Sequence, residues 1–463
     1  MKKTKIICTI GPSTFDEDVI YNMLKNGMNT IRYNFSHAKK EDIISINKKI
    51  ENIRKKTGKN IGILYDTKGP EFRCSKMKSE VNLVDGSTIR VVKKNIIGDE
   101  KKFSVNHPSC ISHIRKKDIM LLNDGLLKLE VIGKDNEGLV CKVISGGILE
   151  SNKSISVPGR DLKLPFINSN DLEDILFAIN NDADFIALSF VSSKEDVLKV
   201  REILKKKNSN ILLISKIESK TGVDNLKEIV NVSDGVMVAR GDLGVEVDME
   251  KLPFIQKNII SECRKKGKIA IVATEMLESM TVNPRPTRAE ISDVSNAVLN
   301  EADAVMLSAE TSIGKYPAQA VKMMSDICTI AEEHLSVDVD FKHIKKDIKN
   351  AISSSVVETA NVINAKVIVA ATMSGKTARV MSNFRSKCPI LATTTDEKVA
   401  RSLALSFGVY PKVTKVYDTT DEIVNDAINN SKKFMKLKKD DYIIIAGAFP
   451  FDSPTNFMKI EKI

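Results

Sequence analysis

Tryptophan is absent, aromatic residues make up 5% of the 463 positions, and only five histidines occur. A net charge of +11 invites a nucleic-acid reading, but without aromatic platforms for base stacking it argues only weakly for one. No run of about 18 apolar residues is present, which excludes an ordinary membrane-spanning helix. Residues 1–3 pass straight into a strand-like stretch with no signal-peptide core. The expectation is a cytoplasmic chain with neither a membrane nor a nucleic-acid partner. The seven cysteines (8, 74, 110, 141, 263, 328 and 388) form no CxxC pair and have no histidine at metal-ligand spacing, so reduced and mostly buried thiols are expected.

A hydrophobic fraction of 42% and a charged fraction of 28% describe a packed globular chain, and its length suggests about three domains. Lysine is spread along amphipathic stretches such as 194–207 and 432–439. That pattern reads as solvated surface, with small phosphorylated substrates as secondary beneficiaries of the positive field.

Eight short runs rich in Ile and Val recur at 5–10, 30–35, 61–65, 185–188, 211–217, 235–238, 269–273 and 304–307. Near-continuous apolar strands alternating with amphipathic helices (41–56, 171–181, 194–206, 253–266 and 289–300) predict a parallel sheet covered on both sides. Eight such units predict a closed (β/α)8 TIM barrel within an α/β fold class. Residues 70–159 break the alternation. They show short alternating strands at 88–92, 127–132 and 139–144, divided by the turn signals Asp85-Gly86, Asn123-Asp124-Gly125 and Gly146-Gly147. This predicts a small β-barrel domain inserted at the active end of the barrel, placed to act as a lid. After a helix at 317–333 and a charged linker at 338–349, a smaller parallel-sheet domain is expected. Its strands fall at 366–370, 390–393 and 442–445, and its helices at 351–362, 377–384, 397–407 and 421–433. The expected domains are thus 1–69 with 160–335, 70–159, and 336–463. No internal repeat stands out beyond the βα alternation.

Barrel enzymes place reacting groups at the carboxyl ends of their strands. Here the second strand ends Arg32-Tyr33-Asn34-Phe35-Ser36-His37 and the third Asp66-Thr67-Lys68. The fifth ends Lys216-Ile217-Glu218, the sixth Arg240-Gly241-Asp242, the seventh Thr274-Glu275 and the eighth Ser308-Ala309-Glu310. Polar residues punctuate any loop, but that does not account for ionisable groups inside so many strand ends. Charges gathered at one rim must pair or ligate a metal, because isolated buried charge is too costly. Glu218 and Asp242, from adjacent strands, offer hard oxygens that suit Mg2+ with water and substrate completing the shell. Lys216 and Arg32 would neutralise a transferring phosphoryl group, and Arg73 could add a further contact. A structural ion-pair network is the alternative.

The motifs themselves carry a resemblance. TKIICTIGPS at 4–13, GMNTIRYNFSH at 27–37 and DTKGPEFR at 66–73 are similar to the opening segments of pyruvate kinases. ADFIALSFV from Ala183, SKIES from Ser215, SDGVMVARGDLGVE from Ser233, ATEMLESM from Ala273, PRPTRAEISDVSNAV from Pro284 and ADAVMLSAET from Ala302 follow in the same order. The resemblance spans almost the whole chain. It implies transfer of the phosphoryl group of phosphoenolpyruvate to ADP, giving pyruvate and ATP, with Mg2+ (or Mn2+) and K+ as cofactors and a homotetrameric assembly.

Carried over residue by residue, Arg32, Asn34 and His37 would meet the nucleotide and transferring phosphate, and Arg73 would hold that phosphate. Glu218 and Asp242 would bind Mg2+, and Lys216 would stabilise the phosphoryl and enolate charges. Gly241 and Asp242 open a helix whose N–H groups could receive the substrate carboxylate. Thr274, with Ser308, would help deliver a proton to enolpyruvate from the opposite face. Asn34, Ser36, Asp66 and Thr67 would hold K+. Glu71 fits that choice, since relatives with lysine at this point of the motif tend to dispense with the ion, a tethered ammonium supplying its charge. Lys153 resembles the family lysine that reaches the nucleotide phosphates. Thr372, Ser374, Gly375, Lys376 and Thr377, between a strand and a helix, resemble the turn at which the family binds a phosphorylated allosteric effector, although such turns are also ordinary helix caps. The terminal loop 447–456 is shorter and poorer in glycine than usual.

The chain departs from the family where it has Ser192, Ser219, Thr221, Glu275 and Ala309, near the rim or subunit contacts, and none of these removes an expected ligand. It is expected to begin at its first strand and to end with the third domain. Two rivals remain at this point. A lyase or aldolase barrel acting on pyruvate enolate would need the same Glu and Asp pair, but has no use for Arg32, Asn34 and His37. A non-catalytic metabolite sensor would not need the intact Lys216, Glu218 and Asp242.

Overall fold

Eight parallel strands close into a barrel in the computed structural model, which describes residues 1–335, 347–448 and 453–463. The strands are β1 (Lys5–Thr9), β2 (Thr30–Asn34), β3 (Gly62–Asp66), β4 (Phe185–Leu188), β5 (Leu212–Ile217), β6 (Gly235–Ala239), β7 (Ile269–Ala273) and β8 (Ala304–Leu307). Each falls within a residue or two of its expected run. β1 pairs with both β2 and β8, with Lys5 opposite Ala304, so the ring has no free edge. Residues of alternating orientation serve two cores. Ile7, Leu64, Phe185, Ile214, Met237 and Ile271 fill the interior, while Ile6, Ile31, Ile63, Ile186, Leu213 and Val272 pack outward in a larger cluster shared with the helices. Fully burying such side chains is worth about 1.5–3 kcal/mol each. The strands therefore read as unbroken apolar runs, not as an alternation.

The inserted segment forms a six-stranded sheet and a two-stranded ribbon around its own core, which includes Phe103, Leu122, Leu129, Val131, Cys141 and Val143. Three strands match expectation (Thr88–Val92, Leu127–Lys134 and Gly138–Ser145). Val81–Leu83, Lys102–Ser104, Ile119–Leu122, Gly147–Leu149 and Ile155–Ser156 are additional. They are two to four residues long, too short for an alternation to declare itself. Ser156, returning from the insertion, hydrogen-bonds Glu246 at the barrel rim.

The carboxyl domain has five strands, in the order Val409–Val413, Ile390–Thr394, Val367–Ala371, Tyr442–Gly447 and Phe457–Lys462. Two of these, one at each edge, were not expected. Pro411 makes 409–413 read as a loop, and proline is tolerated there because the strand lies at an edge. The last strand runs antiparallel to its neighbour. The helix expected over 397–407 stops at Ser402. The residues beyond it close the amino-terminal mouth of the barrel, where Leu405 joins the barrel-interior core. A Cβ at Gly62 would come 3.1 Å from Ala404 Cβ and 2.8 Å from Thr30 Oγ1, so glycine there admits the close approach.

Ion pairs fasten the same junction. Arg401 reaches Asp184 at 3.0 Å and Asp182 at 2.6 Å, and Arg385 reaches Asp303 at 2.7 Å. Lys5 is buried there, its Nζ donating to Val409 O at 2.5 Å and lying 4.5 Å from the centre of the Tyr410 ring. Of the expected linker, residues 338–346 lie outside the described residues, as do 449–452 of the terminal loop. Six cysteines are buried and Cys388 is half-buried. Among the described residues no helix is long and apolar enough to cross a membrane.

Candidate active site

The register of the barrel brings the charged strand ends into one layer. β2 and β3 set Asn34 beside Asp66, and β3 and β4 set Asp66 beside Ala187. Arg32 Nε and Nη2 lie 2.8 and 2.7 Å from Asp66 Oδ2, and its Nη1 donates to Thr9 Oγ1 at 2.9 Å. Lys216 Nζ lies 3.2 Å from Asp66 Oδ1, 2.9 Å from Glu218 Oε1 and 2.7 Å from Ser189 Oγ. Glu218 Oε2 accepts from Phe190 N at 2.6 Å. All four charged groups are buried, and the network Arg32–Asp66–Lys216–Glu218 is continuous.

Its electrostatics follow from that burial. Desolvation pushes the Asp66 carboxyl up, but the charges of Lys216 and Arg32 outweigh it and hold the group below the usual carboxylate range. Desolvation would also discharge Lys216, yet Asp66 and Glu218 overcome it and keep the ammonium charged. Glu218 is pushed up to about 7, by burial first and by the neighbouring Asp242 charge, with Lys216 pulling the other way. A carboxylate held this high, beside a second carboxylate, marks a site short of positive charge.

Glu218 and Asp242 both face a crevice between the barrel and the inserted domain, about 220 Å3 in volume, whose far wall includes Arg73, Leu121, Ser154 and Ser156. A second crevice of about 950 Å3 adjoins it and gathers Asn34, Ser36, His37, Lys68, Glu71 and Arg73. Asn34 Oδ1 accepts from Ser36 N at 3.1 Å, and Thr67 Oγ1 accepts from Ser189 N at 3.2 Å. Among the described residues no group of three or more His, Cys, Asp or Glu side chains could hold a metal, so a divalent ion here would rest on two carboxylates and on what the substrate and water supply. Two hard oxygens with no soft donor suit Mg2+.

Not every expected residue stands free to act. The Arg73 fork is occupied by Glu71, at 2.8 and 2.7 Å, and its Nη1 donates to Asn152 O. Lys153 Nζ pairs with Glu150 at 2.7 Å and lines neither crevice. Ser308 Oγ is buried without a hydrogen-bond partner, and no hydrogen bond joins it to Thr274. In the carboxyl domain Gly375 takes the left-handed conformation (φ +74°) ahead of the helix Lys376–Asn383, whose amino end has no side-chain cap. Thr377 Oγ1 hydrogen-bonds Thr455 Oγ1 at 2.7 Å, and Thr372 N donates to Thr393 O.

One residue of the rim, Arg240, received no role in the sequence reading. Thr274 has φ +67° and Glu275 φ +51°, and for a β-branched residue such as Thr274 this is strained. Arg240 holds them there. Its Nη2 donates to Thr274 O at 2.5 Å and to Glu275 O at 2.9 Å, while Nη1 pairs with Asp293 at 2.5 Å. The strain aims Thr274 Oγ1 at Gly241 N, which donates to it at 2.9 Å. The signal in the sequence was an arginine heading a motif already noted for its Gly and Asp. Arg240→Met should lower kcat by about tenfold to a hundredfold, because a reacting group displaced by an ångström loses that much. KM for either substrate should change little, and Arg240→Lys should recover part of the loss. Equal rises in both KM values with kcat intact would instead make Arg240 a purely structural residue.

A family model described as "Pyruvate kinase, barrel domain" matches residues 1–321, and one described as "Pyruvate kinase, alpha/beta domain" matches 350–461. The chain is 43% identical to the pyruvate kinase of Clostridium perfringens, with all of both chains covered. It is likewise 43% identical to that of Staphylococcus saprophyticus, covering all of this chain and 81% of the relative. A crystal structure of a pyruvate kinase from Cryptosporidium parvum superposes with a TM-score of 0.96 at 35% identity, over 100% of this chain and 96% of that one.

Proposed function

Since the chain belongs to the pyruvate kinase family, we propose that the Arg32–Asp66–Lys216–Glu218 network is its reaction centre and residues 70–159 the lid above it. The protein is a phosphotransferase of glycolysis that passes the phosphoryl group of phosphoenolpyruvate to ADP, giving pyruvate and ATP. The family takes a divalent metal and potassium in general. In this chain Glu218 and Asp242 would hold Mg2+ or Mn2+, and oxygens of Asn34, Ser36, Asp66 and Thr67 would hold K+. The divalent ion, when bound, supplies positive charge to the substrate carboxylate and phosphate.

The observation that carries this reading is the buried ammonium of Lys216 between two carboxylates, beneath a crevice that the inserted domain covers. As the bond from phosphorus to the enol oxygen breaks and one to the ADP oxygen forms, negative charge spreads over the equatorial oxygens. Lys216 and Arg32 face that charge already oriented, so little reorganisation is needed at the moment of transfer. The enolate then takes a proton at its terminal carbon. We assign its delivery to the Thr274 hydroxyl, whose Oγ1 accepts from Gly241 N while the Thr274 carbonyl accepts from Arg240, with Ser308 as the second hydroxyl. Asn34 and His37 would line the nucleotide side. Arg73 would leave Glu71 for the transferring phosphate when substrates bind, and Lys153 would leave Glu150 for the nucleotide. The backbone at Gly241 and Asp242 would receive the carboxylate, with Thr274 yielding the Gly241 N–H. A cytoplasmic homotetramer completes the proposal, together with a phosphorylated effector at the turn of Thr372, Ser374, Gly375, Lys376 and Thr377.

A coupled assay of pyruvate release with phosphoenolpyruvate, ADP and Mg2+ tests it, run with K+ and with a bulky inert cation in its place. Turnover should fall at least about tenfold without K+, as removal of a fixed charge from such a site requires. Glu71→Lys should then sustain turnover without the ion. Equal rates in both salts would remove the K+ site, and no turnover in either would overturn the assignment of the reaction centre.

A further inference from the structure

The loop that carries Thr274 is fastened at two places, and only one of them is Arg240. Arg240 binds the carbonyls of Thr274 and Glu275, whose backbones lie in the left-handed region. Further along the same loop, Leu277 N donates to Glu310 Oε1 at 3.0 Å. The other oxygen of that carboxyl group, Oε2, accepts from Ser308 N at 2.7 Å. One side chain therefore joins the loop after β7 to the end of β8, and the hydroxyls of Thr274 and Ser308 stand on the two segments it joins.

Glu310 is 1% exposed and forms no ion pair among the described residues. Burial raises its pKa above the ordinary carboxylate value and the Glu290 charge adds to this, while the two N–H donors oppose it. A carboxyl group buried without a cation is costly, so it is a poor choice for filling space. Capping the short helix Ala309–Ser312 accounts for the bond to Ser308 N, but not for the bond to Leu277 N, which follows a different strand. The arrangement calls for two acceptor oxygens and no donor, which a carboxylate supplies and an amide does not. The helix is itself anchored, since Thr311 Oγ1 donates to Thr9 O at 2.8 Å. Ser308 Oγ has no hydrogen-bond partner, so that hydroxyl is placed through the backbone that Glu310 binds.

We infer that Glu310 is a positioning residue for one half of the reaction, the protonation of enolpyruvate at carbon, and that it acts by holding the Thr274 and Ser308 segments in register. It lines neither crevice and acts through those two residues. The inference rests on the reading that their hydroxyls deliver the proton. The charges that face the transferring phosphoryl group, Arg32 and Lys216, stand on β2 and β5 and make no hydrogen bond to Glu310. Loss of the bridge should therefore slow proton transfer at carbon and spare phosphoryl transfer.

Two assays of the full chain, both with ATP, Mg2+ and K+, separate the halves. In D2O, a methyl C–H bond of pyruvate breaks to give the enolate and the proton passes to the rim; a C–D bond then forms at the same carbon, which proton NMR follows. Glycolate offers a carboxylate and an oxygen to phosphorylate but no carbon that must take a proton, so its phosphorylation by ATP reads phosphoryl transfer alone. Glu310→Gln leaves one N–H facing an amide donor, and should slow the exchange by about tenfold to a hundredfold while glycolate phosphorylation stays close to the parent's. Glu310→Asp keeps the charge but is one methylene too short to reach both N–H groups, and should show the same selective loss. Thermal melts confirm that both variants are folded. An equal fall in the two rates, or an exchange rate like the parent's in either variant, would overturn the inference. A parent active on glycolate but without exchange would remove the proton-delivery reading along with it, and a parent inactive in both would remove the reaction centre.

Discussion

Lys216→Met should lower kcat for phosphoryl transfer by about a thousandfold or more, the scale of losing a preorganised charge at the transition state. The side chain fills nearly the same volume, so the loss is one of charge. Its ammonium is the shared counter-ion of Asp66 and Glu218, and breaking a buried pair by removing one partner commonly costs about 3–5 kcal/mol. Two features limit that cost here. Asp66 keeps Arg32, and Glu218, already raised to about 7 by burial, can take a proton. The variant should therefore fold, with a lower melting temperature, and should still bind a divalent ion through Glu218 and Asp242, the ion displacing that proton. Pyruvate release, a thermal melt and a manganese titration check the three parts. A kcat within tenfold of the parent would remove Lys216 from the chemistry, and lost metal binding would make it a scaffold for the carboxylates.

The second large effect concerns stability. Burial lowers the Lys5 pKa to about 7, the nearby Lys2 charge adding to the effect and Glu332 opposing it. In the unfolded chain Lys5 titrates near 10.5. Between these values the unfolded state binds the extra proton, so stability must rise with pH, and it is lost on acidification through neutrality. Over pH 7 to 9 the gain attributable to Lys5 should be about 2 kcal/mol, at 1.36 kcal/mol per unit of pKa. Lys5→Met should flatten that slope and, at pH 6, raise the unfolding free energy by about 1–4 kcal/mol, as exchanging a buried charge for an apolar side chain often does. Urea unfolding at pH 6, 7, 8 and 9 in parent and variant provides the comparison. A parent that is no more stable at pH 9 than at pH 7, or a variant with the parent's slope, would show that the ammonium stays hydrated at this junction.

The barrel was legible because strands buried on both faces need unbroken apolar runs, and eight of these recur between residues 5 and 307. The rim was legible for a related reason, since charges placed at the end of such a run have no solvated alternative. Arg240 was harder to recognise, because its role depends on the left-handed backbone of Thr274, a conformation that a threonine does not advertise. The partners of Arg73 and Lys153 were equally hidden: both lysine and arginine read as phosphate ligands, whereas the structure shows each held by a nearby glutamate. Helix propensity continued past Ser402, but burying Leu405 in the barrel mouth outweighs another turn of helix. For Arg240 and Leu405 a tertiary contact, made by residues remote in sequence, decided what local pattern left open.

The pairing of β1 with β8 also sets an order of events during synthesis. Lys5 lies opposite Ala304, so the hydrogen-bonded ring cannot close until some three hundred residues have left the ribosome. The inserted domain is contiguous and has its own core, and it emerges after only three barrel strands. It can therefore be complete while those strands still lack most of their neighbours. The nascent chain thus carries a finished domain on an unfinished one, and the hydrophobic plug at Leu405 arrives only after all eight barrel strands.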